Sequence, residues 1–134
     1  MMRVEKLDHV NIQTQDLDRT AQFFADVLGL DRRPPPGLNP ETNTWMFDEQ
    51  DRPIVHLSMP GTMLGESADD IRAGGGAVHH IAFDCVGYHD FVARLKDLGL
   101  AFDTNHVVEI DLRQVFVHEP NGVMVECNFR AGSH

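Results

Sequence analysis

Two periodicities alternate along the chain. From Val4 to Thr14 the pattern is strand-like, with apolar Val10 and Ile12 alternating with His9 and Asn11. Gln15-Asp16-Leu17-Asp18 then places acidic residues in the first turn of a helix. Leu17, Ala21, Phe24, Val27 and Leu28 fall on one apolar stripe, and Gly29 supplies a stop. Asp31 to Asn43, with Pro34-Pro35-Pro36-Gly37, reads as a surface loop. Thr44 to Phe47 and Pro53 to Ser58 read as strands joined by an acidic turn. After a connector from Pro60 to Gly76 the pattern restarts. Val78 to Phe83 is strand-like, and Tyr88 to Leu98 is a helix with Phe91, Leu95 and Leu98 on its stripe. Leu100 to Thr104 is a short strand. Arg113 to His118 and Val123 to Phe129 form a hairpin around Glu119-Pro120-Asn121-Gly122.

Each half therefore reads strand, helix, strand, strand, strand, and the letters themselves repeat. Leu28-Gly29-Leu30 returns as Leu98-Gly99-Leu100, an offset of 70; His9 corresponds to His80, an offset of 71; His56 corresponds to Glu126, again 70. Four metal-competent side chains thus occupy two pairs of equivalent positions. In each strand the flanking residues, such as Val10 with Ile12 and Val55 with Leu57, are apolar and would pack beneath a helix, leaving the polar residue on the opposite face. Packing the halves about a pseudo-twofold axis would bring His9, His56, His80 and Glu126 together in a polar cup suited to a ligand.

Composition narrows the function. The 134 residues are 42% hydrophobic and 24% charged, which fits one ordinary globular domain rather than a disordered or fibrous chain. A formal charge of −10 argues against nucleic acid and anionic membrane partners. With no apolar run of membrane-spanning or signal-peptide type, a cytoplasmic location is expected. Cys85 and Cys127 lie in apolar strand-like runs and read as packing thiols. Eight histidines make position, not number, the question. Ala131-Gly132-Ser133-His134 reads as a tag remnant outside the fold.

Leu7-Asp8-His9-Val10, Phe24-Ala25-Asp26-Val27-Leu28-Gly29-Leu30, His79-His80-Ile81-Ala82-Phe83 and Glu119-Pro120-Asn121-Gly122-Val123-Met124-Val125-Glu126 together resemble the vicinal oxygen chelate superfamily over residues 4–130. That superfamily includes glyoxalase I, extradiol dioxygenases, methylmalonyl-CoA epimerase and the fosfomycin- and bleomycin-resistance proteins. The resemblance implies an α+β fold of two βαβββ modules forming a cupped mixed sheet with helices on its outer face. Module 1 would span about 4–59, the connector 60–77 and module 2 about 78–130, as a single domain. It further implies a divalent metal held by His9, His80 and Glu126, acting as a Lewis acid on two neighbouring substrate oxygens. Ferrous iron is the first expectation, with zinc, nickel and manganese as alternatives. A small-molecule substrate and a homodimer are the expected partners.

The fourth position departs from the glyoxalase pattern, which usually has Glu or Gln where this chain has His56. His56 would be either a fourth ligand or an acid–base group beside the metal. The latter resembles the extradiol dioxygenases, as does the pair His79-His80, and tilts the expectation towards ring cleavage. Against it, Phe116 stands where those enzymes carry a Tyr, and His106 and His118 are the available substitutes. A glyoxalase-like lyase or isomerase and a non-catalytic drug- or metabolite-binding protein are the alternatives. Gln114 shares the parity of Phe116, Arg113 is a candidate for a substrate carboxylate, and Trp45, Met46 and Phe47 are candidates for the pocket wall or for core. Parity turns His79 away from the metal.

Overall fold

Asp16 opens the first helix by accepting a hydrogen bond from the Arg19 amide at 3.0 Å. In the computed structural model, which describes residues 1–61 and 74–134, this helix, α1, spans Leu17–Leu28. It ends at Gly29, whose φ of 68° lets the Gly29 and Leu30 amides turn back to the Ala25 and Phe24 carbonyls. Leu17, Thr20, Ala21, Phe23, Phe24 and Val27 are its buried face. Thr20, the polar member, shares a buried hydroxyl contact of 2.9 Å with Thr14.

The chain divides into two units, residues 1–71 and 72–134. In the first, β1 (Val10–Gln13), β2 (Asp31–Arg33), β3 (Asn43–Phe47) and β4 (Pro53–Ser58) form a sheet in the order β1-β4-β3-β2, with β1 parallel to β4. Helix α1 packs against β2, β3 and β4. Ile12, Met46, Val55 and Leu57 supply the buried apolar face of the sheet. The second unit repeats the arrangement. β5 (His80–Cys85), β6 (Asp103–Val107), β7 (Leu112–His118) and β8 (Met124–Phe129) run in the order β5-β8-β7-β6, with β5 parallel to β8. Helix α2 (Tyr88–Asp97) lies over Phe129, which touches both Tyr88 and Phe91. Val115, Val117, Val125, Cys127 and Leu95 are buried.

The expected α+β class with paired βαβββ modules is the observed one. Four local expectations need correction. The first strand begins at Val10, so His9 precedes it. Asp31–Arg33, expected as loop, is an edge strand paired to β3. The strand expected at 100–104 lies at Asp103–Val107 and is followed by a 3-10 turn, Val108–Ile110. The tail set aside as a tag remnant takes part in unit 2. The Ser133 and His134 carbonyls accept from the Gly87 and His89 amides at the start of α2, which has no side-chain cap. Most of the connector expected at 60–77 lies outside the described residues.

Candidate functional site

The repeat seen in the letters is also a repeat in register. In unit 1, Asn11 on β1 pairs with His56 on β4; in unit 2, Ala82 on β5 pairs with Glu126 on β8. His9 and His80 each stand two residues before those partners. Strand alternation therefore sets His56 and Glu126 on the face opposite the helix, with Val55, Leu57, Val125 and Cys127 on the buried one.

In unit 1 one row crosses the sheet through Asn11, His56, Trp45 and Arg33. His56 is sandwiched there. The His9 ring stacks on it at 3.6 Å between centroids, and the Trp45 ring at 4.2 Å. Trp45 and Phe47 thus belong to this face, whereas Met46 is fully buried. Nε2 of His56 is buried and has no partner among the described residues. Burial, then the neighbouring His9, pulls the imidazole below its usual pKa, against the Pro53 carbonyl and Asp8. These surroundings favour the neutral imidazole. Nδ1 of His9 lies 2.7 Å from Asp8 Oδ2, a carboxylate–imidazole pair that leaves His9 Nε2 as the available atom.

In unit 2, Nε2 of His80 faces Glu126 Oε1 at 3.7 Å, too long for a hydrogen bond. On the other edge of the ring, His80 Nδ1 is 2.9 Å from His79 Nδ1. That contact holds one proton. When His80 supplies it, Nε2 keeps its lone pair. His79 is therefore the hydrogen-bond partner of His80, because parity does not govern a residue that precedes the strand. Glu126 Oε2 accepts from Asn128 Nδ2 at 2.9 Å. Asn128 Oδ1 accepts from Gln114, and Gln114 Oε1 accepts from Asn105.

Phe116 lies directly across from Glu126 on β7, and Gln114 shares its face. Arg113 does not. It pairs with Phe129 on the helix side, and its guanidinium lies over the Tyr88 ring at 5.2 Å. The carboxylate-binding role considered for it loses its basis. His106 is occupied by Asp111 at 2.8 Å, and His118 is exposed opposite Met124. Asp8, His79, Asn105 and Asn128 are not candidates that the sequence singles out. Adjacency to a ligand candidate is the only signal for the first two, and same-face spacing from Glu126 for Asn128.

Among the described residues no group of three or more His, Cys, Asp or Glu side chains is placed to hold a metal ion. What the structure brings together is a pair within each unit, His9 with His56 and His80 with Glu126, and imidazole nitrogens and a carboxylate are donor types that suit a divalent ion.

The repeat of a βαβββ unit with ligand-type residues at equivalent registers agrees with the comparisons. The Glyoxalase/Bleomycin resistance protein/Dioxygenase superfamily model matches residues 6–127, and the chain belongs to that superfamily. It is 27% identical over 131 residues to a protein named Glyoxylase I 4 from Arabidopsis thaliana, covering 95% of this chain and 72% of that one. Among solved structures it resembles lactoylglutathione lyase from Agrobacterium tumefaciens, with a TM-score of 0.69 at 17% identity over 95% of both chains. It also resembles a variant of the fosfomycin resistance protein FosX from Listeria monocytogenes, solved with Mn(II) and a dihydroxypropylphosphonic acid. There the TM-score is 0.65 at 14% identity, over 93% of this chain and 92% of that one. No described helix is long and apolar enough to cross a membrane.

Proposed function

We propose that the protein is a metal-dependent enzyme acting on a small substrate with two adjacent oxygens, and that its reaction is a proton transfer of glyoxalase-like lyase or isomerase type. His9, His80 and Glu126 would hold the ion, and Asp8 and His79 would set the tautomers of the two imidazoles. When bound, the ion would supply Lewis acidity to the substrate oxygens. The observation that carries the choice of reaction is His56, a neutral imidazole with a buried, unpartnered Nε2. Such a group takes a proton from a carbon beside a carbonyl and returns it to the neighbouring carbon. Trp45 and His9, stacked on its two faces, fix the plane of the ring and so the direction in which Nε2 points. Phe116 can shield charge on that face of unit 2 from water but has no proton to give. The naming of the Arabidopsis thaliana relative points the same way.

Ring-cleaving oxygenation is the second reading. A set of two His and one carboxylate suits ferrous iron, and the aromatic rings of Trp45 and Phe116 would suit an aromatic substrate. One experiment separates the two. Protein loaded anaerobically with ferrous iron, or with zinc, nickel or manganese, is given the methylglyoxal–thiol adduct in D2O and a catechol panel in oxygenated buffer. Turnover of the adduct with altered deuterium content, lost in His56→Gln, supports proton transfer. Oxygen uptake with a catechol, and none of that turnover, replaces it with ring cleavage. Full metal content in His80→Ala would remove the ligand assignment. The homodimer is part of the same proposal and is tested by sedimentation equilibrium.

A further inference from the structure

Three amide side chains line up beside Glu126 in the second unit. Asn105, Gln114 and Asn128 come from three neighbouring strands, β6, β7 and β8, at directly paired positions. Their side chains form an unbroken run: Asn105 Nδ2 donates to Gln114 Oε1 at 2.9 Å, Gln114 Nε2 to Asn128 Oδ1 at 3.1 Å, and Asn128 Nδ2 to Glu126 Oε2 at 2.9 Å. The direction of the run follows from its last member. An ionised carboxylate only accepts, so Asn128 must turn its NH2 towards Glu126 and its oxygen towards Gln114. Gln114 must then present its NH2 to Asn128 and its oxygen to Asn105. Three amides are thus oriented by one carboxylate, and each polarises the next.

We propose that this amide ladder positions Glu126 for the metal, with Asn128 and Gln114 as positioning residues and the free Oε1, on the His80 side, as the coordinating oxygen. The inference rests on the proposed metal reading. It also reassigns Gln114 from the substrate contact expected from the sequence, since both ends of its amide are engaged within the ladder.

The decisive variant is Gln114→Glu, which keeps size and shape. The carboxylate it introduces can still accept from Asn105 but cannot donate to Asn128. Asn128 must then set its own oxygen against that new carboxylate or, after flipping, against Glu126. Two outcomes of opposite sign follow. A plain Coulombic effect of one more negative charge near a cation tightens binding. A broken ladder weakens it. Zn2+ affinity is measured by competition with a chromophoric chelator, and Co2+ absorption reports the ligand geometry. The ladder predicts that Gln114→Glu weakens Zn2+ binding by about 10- to 100-fold, the usual cost of losing such support. Gln114→Met, which removes the bond without reversing it, should weaken it less, and both should change the Co2+ spectrum. Asn128→Leu, which needs no charge change, should match Gln114→Glu. Unchanged or tighter Zn2+ binding in Gln114→Glu and Asn128→Leu, with Glu126→Ala weakened, overturns the ladder. Unchanged binding in Glu126→Ala overturns the metal reading beneath it.

Discussion

Replacing His56 by Phe should stabilise the metal-free protein while removing the proposed proton transfer. The stacked arrangement is already what a phenyl ring would adopt, between His9 at 3.6 Å and Trp45 at 4.2 Å. What the imidazole adds is a buried nitrogen, Nε2, with no partner among the described residues. Removing that unsatisfied atom recovers about 1–3 kcal/mol. At the low end Phe is favoured by about 1 kcal/mol, or a rise in Tm of about 4 °C for a chain of this size. The assay is denaturant unfolding of chelator-treated wild type and His56→Phe at pH 7.5, where His56 is neutral. Trp45, the single tryptophan, lies on the substituted ring and reports the transition. A loss of more than about 1 kcal/mol in the variant would refute the reasoning, because it would mean that Nε2 is satisfied after all. A gain in stability with loss of turnover would mark His56 as a residue kept for chemistry at a cost to folding.

Three further predictions concern the fold. Asp48 accepts from the Gln50 and Arg52 amides and from the Arg52 side chain, and these bonds, the Arg52 amide foremost, lower its carboxyl pKa below 3.8. Its contribution is complete above that pH and lost as pH falls through the lowered value, so Asp48→Asn should flatten the acid limb of a stability–pH curve; an unchanged limb refutes it. Gly29→Ala meets no atom within 4 Å, so its cost comes from φ = 68° alone: about 1–2 kcal/mol in denaturant unfolding, with a smaller loss counting against the left-handed helix stop. The neighbouring Cys127 thiol lowers the pKa of half-buried Cys85, and the Cys85 thiol together with burial raises that of buried Cys127. Brief alkylation followed by peptide mass spectrometry should label Cys85 and reach Cys127 only after unfolding; equal labelling would contradict this.

The sequence made the repeat legible because a parallel β1–β4 pairing and its copy must keep the same register to keep their apolar faces buried. The offsets of 70 and 71 are that constraint written in letters, and they placed His56 and Glu126 on equivalent faces before any coordinates. What stayed hidden were the edges. β2 is Asp31-Arg32-Arg33 and β6 is Asp103-Thr104-Asn105-His106-Val107; short, charged or polar edge strands lack the apolar alternation that announces a strand. The support of the ligands was hidden for a related reason. Asn105, Gln114 and Asn128 meet only through the lateral register of β6, β7 and β8, and Asn105 sits on the strand whose position the sequence misjudged. A substrate contact for Arg113 ignores its parity, which is opposite to that of Gln114 and sets it over Tyr88.

The two units solve one problem by different physics. Each holds a metal-competent side chain on the sheet face opposite its helix. Unit 1 does so by stacking His56 between two rings, an arrangement held by area and dispersion and indifferent to the polarity of the ring edge. Unit 2 holds Glu126 by directed hydrogen bonds, which depend on donor and acceptor at every step. Apolar replacements of similar shape should therefore have opposite effects on the metal-free fold. His56→Phe raises stability, whereas Asn128→Leu strips Glu126 Oε2 of a charge-assisted partner and Gln114 of its acceptor, and should cost about 1–3 kcal/mol. Unfolding both variants under the same conditions checks the contrast. If Asn128→Leu is as stable as the wild type, the ladder contributes no more than solvent would, and the division of labour between the units is wrong.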